Sequence, residues 1–150
     1  MKIKKLKKEK FDKLEFRGDG WNAATKASIK YGEAYLVNAN SAVEDSEWNC
    51  TLLYLSNTTT LDAEKYSHVK FYVYNSTNQA LYLSLKNLPS QYNFDESGNL
   101  VPLNQWKEVV IPVEIWNQQK TDHLELLFAS TNGSAHVGQI LVTRMVGVTK

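Results

Sequence analysis

The sequence predicts an all-β protein, with antiparallel sheets of about nine strands packed as a sandwich. Three observations predict it. No stretch holds apolar residues at helical spacing, while short runs rich in Val, Ile, Leu, Tyr and Phe recur along the 150 residues. Clusters of Gly, Asn, Ser, Thr and Asp separate those runs, and their short side chains bond nearby backbone or tolerate positive φ. A composition of 43% hydrophobic and 22% charged residues suits one folded domain with an ordinary core.

The first ten residues, "MKIKKLKKEK", hold six lysines and one glutamate, a charge of +5. The whole chain is +1, so by subtraction residues 11–150 carry −4. We assign residues 1–10 to a basic N-terminal tail and residues 11–150 to the sandwich. No apolar segment follows the tail as it would in a secretion signal. No run approaches the roughly 18–20 apolar residues that span a bilayer. The other lysines and arginines are scattered, forming no stripe, so nucleic acid is not an expected partner.

Strands are expected at Phe11–Arg17, Lys26–Tyr31, Ala34–Asn38 and Cys50–Leu55. The first stops at the turn Gly18–Gly20, "GDG". The fourth lies in "WNCTLLYL", where the lone cysteine reads as a small buried hydrophobe. One cysteine excludes an internal disulfide, and no local signature pairs Cys50 with His68, His123 or His136 for catalysis. "TLDAEKYS", Thr60–Ser67, reads as one helical turn capped by Thr60 or Asp62.

Strands His68–Asn75 and Ala80–Lys86 flank the polar turn "NSTN". In the first, Val69, Phe71 and Val73 alternate with Lys70, Tyr72 and Tyr74. In the second, Leu81, Leu83 and Leu85 alternate with Tyr82, Ser84 and Lys86. The aliphatic sets form core faces, which leaves three tyrosines on the water-facing sides. Asn87–Trp106 is too long for a structureless loop in a compact domain. It is expected to form a short hairpin, Gln91–Phe94 with Leu100–Leu103 about Ser97-Gly98, or an ordered binding loop carrying Tyr92. Lys107–Val113, His123–Ala129 and Val137–Val148 complete the strands, with "STNGS" at Ser130–Ser134 as the last turn.

The order of features in "SHVKFYVYN", "QWKEVVIP", "HLELLFAS" and "GQILVTRMVGV" resembles the jelly-roll, galactose-binding-domain-like carbohydrate-binding modules of bacteria. "DGW", ending at Trp21, and "YGEAYLV", Tyr31–Val37, take the places of that group's early tryptophan and following turn. The likeness spans residues 11–148 and implies jelly-roll topology, no catalytic activity, and attachment to a glycan-degrading enzyme in a secreted or surface-bound bacterial protein. It places Trp21 and Trp106 at positions that pack at strand starts. Many such modules hold a structural calcium through an acidic residue in the closing strand. Thr143 and Arg144 stand there instead, so no cofactor is expected from that strand, and Asp19, Glu33 and Asp45 are the carboxylates left for such a site.

Sugar binding in water needs flat apolar faces for pyranose C–H patches and polar groups at their edges, which Tyr and Trp supply together. Strand residues two apart lie about 7 Å apart on one side, so Tyr72 and Tyr74 form a patch beside Lys70. Tyr82 and Ser84 join it if Ala80–Lys86 pairs in the same sheet. If the connection crosses between sheets, Tyr82 lies on the opposite outer face. Trp116, in "EIWNQQ", is flanked by Asn117, Gln118 and Gln119, a setting that suits a sugar ring, and Trp48 beside Asn49 is similar. The expected saccharide-binding set is thus Tyr72, Tyr74, Tyr82, Trp116, Trp48 and Asn117. The other reading of the tyrosines is packing in a structural or protein-interaction sandwich. Catalytic residues are not expected: no carboxylate pair is marked, the acidic "SAVEDSEW" at Ser41–Trp48 reads as a solvated loop, and nucleophile-elbow, P-loop and dinucleotide patterns are absent.

Overall fold

The computed structural model describes residues 11–13, 17–19, 24–29, 32–40, 50–56, 58, 60–86, 88, 99–119 and 123–150. The basic tail, Trp21, Trp48, the acidic loop and the Gln91–Phe94 arm lie outside the described residues. Two antiparallel sheets make up the fold, and each of the nine expected runs contains a strand among its described residues. The first contains β1 (Phe11–Lys13), while Gly18 and Asp19, expected in a turn, belong to a separate strand, β2 (Arg17–Asp19), paired with β5. Next come β3 (Ala24–Ile29), β4 (Gly32–Asn40), β5 (Cys50–Ser56), β6 (Tyr66–Thr77) and β7 (Leu81–Lys86). A two-residue β8 (Leu100–Val101) pairs with β7 and precedes β9 (Trp106–Pro112). A single helical turn, α1 (Val113–Trp116), leads to β10 (His123–Ser130). The last run is broken into β11 (Val137–Thr143) and β12 (Val146–Thr149).

The central strand of the larger sheet is β6. Val73 pairs with Val142 on one edge and Lys107 on the other, and Lys70 pairs with Val146 and Val110 in the same way. β11 and β12 therefore follow one another along one edge of β6, while β9 runs along the opposite edge. β4 continues the sheet beyond β11, and β3 lies beyond β4. The smaller sheet has the order β2-β5-β10-β7-β8. From β4 to β7 each connection passes to the other sheet, as do those from β8 to β11. This repeated crossing is the jelly-roll pattern, and it governs which side chains share a face.

Alternation in β6 sends Val69, Phe71 and Val73 inward against Leu81, Leu83 and Leu85 of β7 and Leu124, Leu126 and Phe128 of β10. Leu53, Leu55, Val37, Ile140 and Val142 complete the layer between the sheets. Each large aliphatic or aromatic side chain so buried contributes about 1.5–3 kcal/mol. Asn75 also points inward and is fully buried. Its Nδ2 donates to the Gln79 and Val101 carbonyls at 2.8 and 3.2 Å, and its Oδ1 accepts from the Thr77 amide and hydroxyl at 3.0 and 2.6 Å. One buried amide thus ties the β6–β7 turn to β8, with every bond it can make accounted for. The Thr60–Ser67 segment does contain a turn, Ala63–Lys65, in which Asp62 Oδ1 accepts from the Glu64 amide at 2.9 Å.

Candidate functional site

The outer face of the larger sheet carries the half-buried rings of Tyr72, Tyr74 and Trp106. Tyr72 and Tyr74 are half-buried and project away from the core, because their odd-numbered neighbours in β6 all face it. In register, Tyr74 lies opposite Trp106 and Tyr72 opposite Glu108, so all four side chains share one face. The Tyr74 and Trp106 ring centroids are 5.1 Å apart with the planes tilted by 53°, an edge-favoured geometry. The Tyr72 hydroxyl donates to Glu108 Oε2 at 3.0 Å. Lys70 and Val110 form the next rung, and Val110 is 41% exposed. Trp106, which the resemblance assigns to strand-start packing, instead projects from this outer face beside Tyr74. Its phase in β9 was available in the sequence: counting back from buried Ile111, every second residue faces outward, which takes in Val110, Glu108 and Trp106.

Beyond the rings, the same face becomes polar. Ser76, Gln139 and Asn38 form one rung across β6, β11 and β4. Together with Asn40, Ala39, Val137 and Gly138 they line an open depression of about 580 Å³. Among the described residues, no charged side chain lines it. Gln139 Nε2 reaches Asn38 Oδ1 at 3.4 Å, which leaves the Asn38 NH₂ and Gln139 carbonyl facing solvent. The floor is set by Gly138, at φ +139°, where a Cβ would lie 2.6 Å from the Ser76 carbonyl oxygen. Only glycine lets β11 approach β6 this closely. Asn78 holds the rim, since its Oδ1 accepts from the Val137 amide at 2.9 Å and its own amide donates to the Val137 carbonyl at 3.1 Å.

Several expected site residues lie elsewhere. Tyr82 is half-buried on β7, in the smaller sheet, so the crossing connection puts it on the opposite outer face from Tyr72 and Tyr74. Trp116 is 0% exposed and belongs to the core cluster. It cannot present a ring to a ligand. The cause is the turn α1, which puts Val113 and Trp116, three residues apart, on one buried side. Asn117 is likewise structural: its Oδ1 accepts from the Leu61 amide at 2.8 Å and its Nδ2 donates to the Leu61 carbonyl at 2.9 Å. Gln119 accepts from the Thr58 hydroxyl at 3.1 Å and donates to the Trp116 carbonyl at 3.1 Å. The amides around the indole therefore fasten α1 to the 58–61 segment. Trp48 and Tyr92 lie outside the described residues.

Thr143 accepts the Tyr72 amide hydrogen through Oγ1 at 2.8 Å, replacing a ladder bond just before the β11–β12 break. A hydroxyl so engaged, followed by the cation Arg144, does not fit a calcium site. Among the described residues, no three His, Cys, Asp or Glu side chains gather as metal ligands, and no helix is long and apolar enough to cross a membrane.

His136 is 1% exposed, between the Thr51 hydroxyl, 2.7 Å from Nε2, and the Ser130 hydroxyl, 3.2 Å from Nδ1. Thr51 faces inward to meet it, whereas Cys50, next along β5, faces the other way. The trio joins β5 and β10 to the start of β11 and has no opening for a substrate. Burial pushes the imidazole pKa below its ordinary value of 6.5. The unfolded chain therefore takes up a proton near pH 6.5 that the folded chain resists. This group's contribution is fully present above about pH 6.5 and is lost as the pH falls below it. Thermal unfolding from about pH 8 to about pH 5 is expected to show a steeper fall in Tm below pH 6.5 for the wild type than for His136→Gln. Equal slopes would contradict the buried neutral imidazole.

No protein-family model matches the chain, and no curated protein sequence matches it. Solved structures do. A carbohydrate-binding module specific for non-crystalline cellulose, CBM28, is 18% identical, with a TM-score of 0.49 over 85% of this chain and 80% of that one. A family 11 carbohydrate-binding module from a cellulosomal cellulase of Clostridium thermocellum is 10% identical, with a TM-score of 0.48 over 99% and 91%. A family 11 module from the same organism, solved with a β-1,3-1,4-mixed-linked tetrasaccharide, is 11% identical, with a TM-score of 0.47 over 97% and 91%.

Proposed function

We propose that this chain is a non-catalytic carbohydrate-binding module that holds a poly- or oligosaccharide against the Tyr72, Tyr74 and Trp106 face of its larger sheet. The observation that carries this reading is the half-buried, outward-facing Tyr74–Trp106 pair, 5.1 Å between centroids, on a face that runs on into uncharged amides. The rings offer apolar faces for pyranose C–H groups, and the Tyr74 phenol adds a polar edge. Hydrolysis needs two carboxylates across the scissile bond. Among the described residues, Glu108 is the acid beside the rings, and it accepts from Tyr72. The module would serve an attached glycan-degrading domain in a secreted bacterial protein, raising the local concentration of polysaccharide around it. Its own affinity would be weak, because a shallow face removes little area from water.

The indole N–H resonances provide a direct test, once Trp106 and Trp116 are assigned by Trp→Phe variants. Titration with soluble glucans, xylans and mannans is expected to shift the Trp106 resonance and leave that of Trp116 in place. A Trp106 resonance unmoved by every glycan at high concentration would contradict the proposal.

A further inference from the structure

We infer that the depression between β4, β6 and β11 is a second subsite of the same binding face, and that the ligand is an uncharged sugar chain longer than a disaccharide, lying across the strands. The inference rests on the aromatic reading above and adds to it the extent and charge class of the ligand. The ring pair sits on β9 and β6, while the depression is completed by Asn38 and Asn40 on β4. Three inter-strand steps separate Trp106 from Asn38, about 14 Å at about 4.8 Å per step. One pyranose cannot touch both.

The depression has the chemistry of a hydroxyl-binding patch. Asn38, Asn40 and Gln139 present amides that both donate and accept, and Ser76 adds a hydroxyl. Vicinal sugar hydroxyls also donate and accept, so they can match such a set. Among the described residues, no cation in the lining pairs with a carboxylate or sulfate. On the aromatic side, Lys70 and Glu108 are of opposite sign and lie on neighbouring rungs of β6 and β9. The fixed Gly138 floor and the Asn78 clamp on Val137 hold the patch in shape without a ligand, which lowers the ordering cost of binding.

Isothermal titration with cello-, xylo- and manno-oligosaccharides from monosaccharide to hexasaccharide tests this, with polygalacturonate as the charged probe. Wild-type affinity is expected to rise beyond the disaccharide for one of the neutral series and to change little with salt. The double variant Asn38→Ala/Gln139→Ala, altered only at exposed side chains, is expected to lose about tenfold for the longer members and to keep its Tm. Wild-type affinity in that double variant, alongside lost binding in a Tyr74→Ala/Trp106→Ala variant, would overturn the second subsite and leave the aromatic reading standing. Preference for polygalacturonate with steep salt dependence would overturn the uncharged ligand. Binding unaffected by either pair of substitutions would overturn both readings.

Discussion

Trp116→Ala is expected to destabilise the chain by about 3–5 kcal/mol, as truncating a large buried aromatic does. The indole is fully buried in the cluster shared by both sheets, and its turn packs against β6 and β9. Removing it opens a cavity and loosens the attachment of the 58–61 segment, which Asn117 and Gln119 hold from the same turn. In a domain of this size the change corresponds to a fall in Tm of roughly 6–20 °C, readable by calorimetry or circular dichroism. The milder Trp116→Phe should keep glycan binding intact, because the residue never reaches the surface. A Tm unchanged in the alanine variant would contradict its place in the core.

Tyr74→Ala with Trp106→Ala should show the opposite signature. Both rings are half-buried on the outer face, and an aromatic pair of this kind contributes about 0.5–1.5 kcal/mol to the fold beyond simple burial. The loss of stability is therefore modest. Under the proposed function their value to a bound sugar would be larger, because aromatic anchors at the centre of a binding face typically cost about 2 kcal/mol or more when truncated, roughly thirtyfold in Kd. With affinity weak to begin with under that function, a loss of that size would remove measurable retention. A packing role for the rings would reverse the balance, with a large stability loss and no change in retention.

The alternation in "VKFYVYN" was enough to put Tyr72 and Tyr74 on the face away from the core, because one buried side leaves a strand little freedom of register. Where Tyr82 falls was not legible there. Whether a polar turn closes a hairpin or crosses to the other sheet depends on distant partners, and β7 pairs with β10, far along the chain. Trp116 sits in a turn of four residues, too short for periodicity to reveal, and its amide neighbours look the same whether they face a sugar or a backbone. Trp106 could be read from the phase of β9, although its place at the strand start suggests packing. The amide depression could not be read at all, since residues 38, 40, 76 and 139 meet only once β4, β11 and β6 are in register.

Affinity electrophoresis of the wild type and the Tyr74→Ala/Trp106→Ala variant, in gels containing soluble glucan, xylan or mannan, tests the binding face most directly. The wild type should be retarded by at least one of these polymers, and the variant should run as in a gel without glycan while melting within a few degrees of the wild type. Retardation that survives the loss of both rings would contradict the assignment of this face as the sugar site.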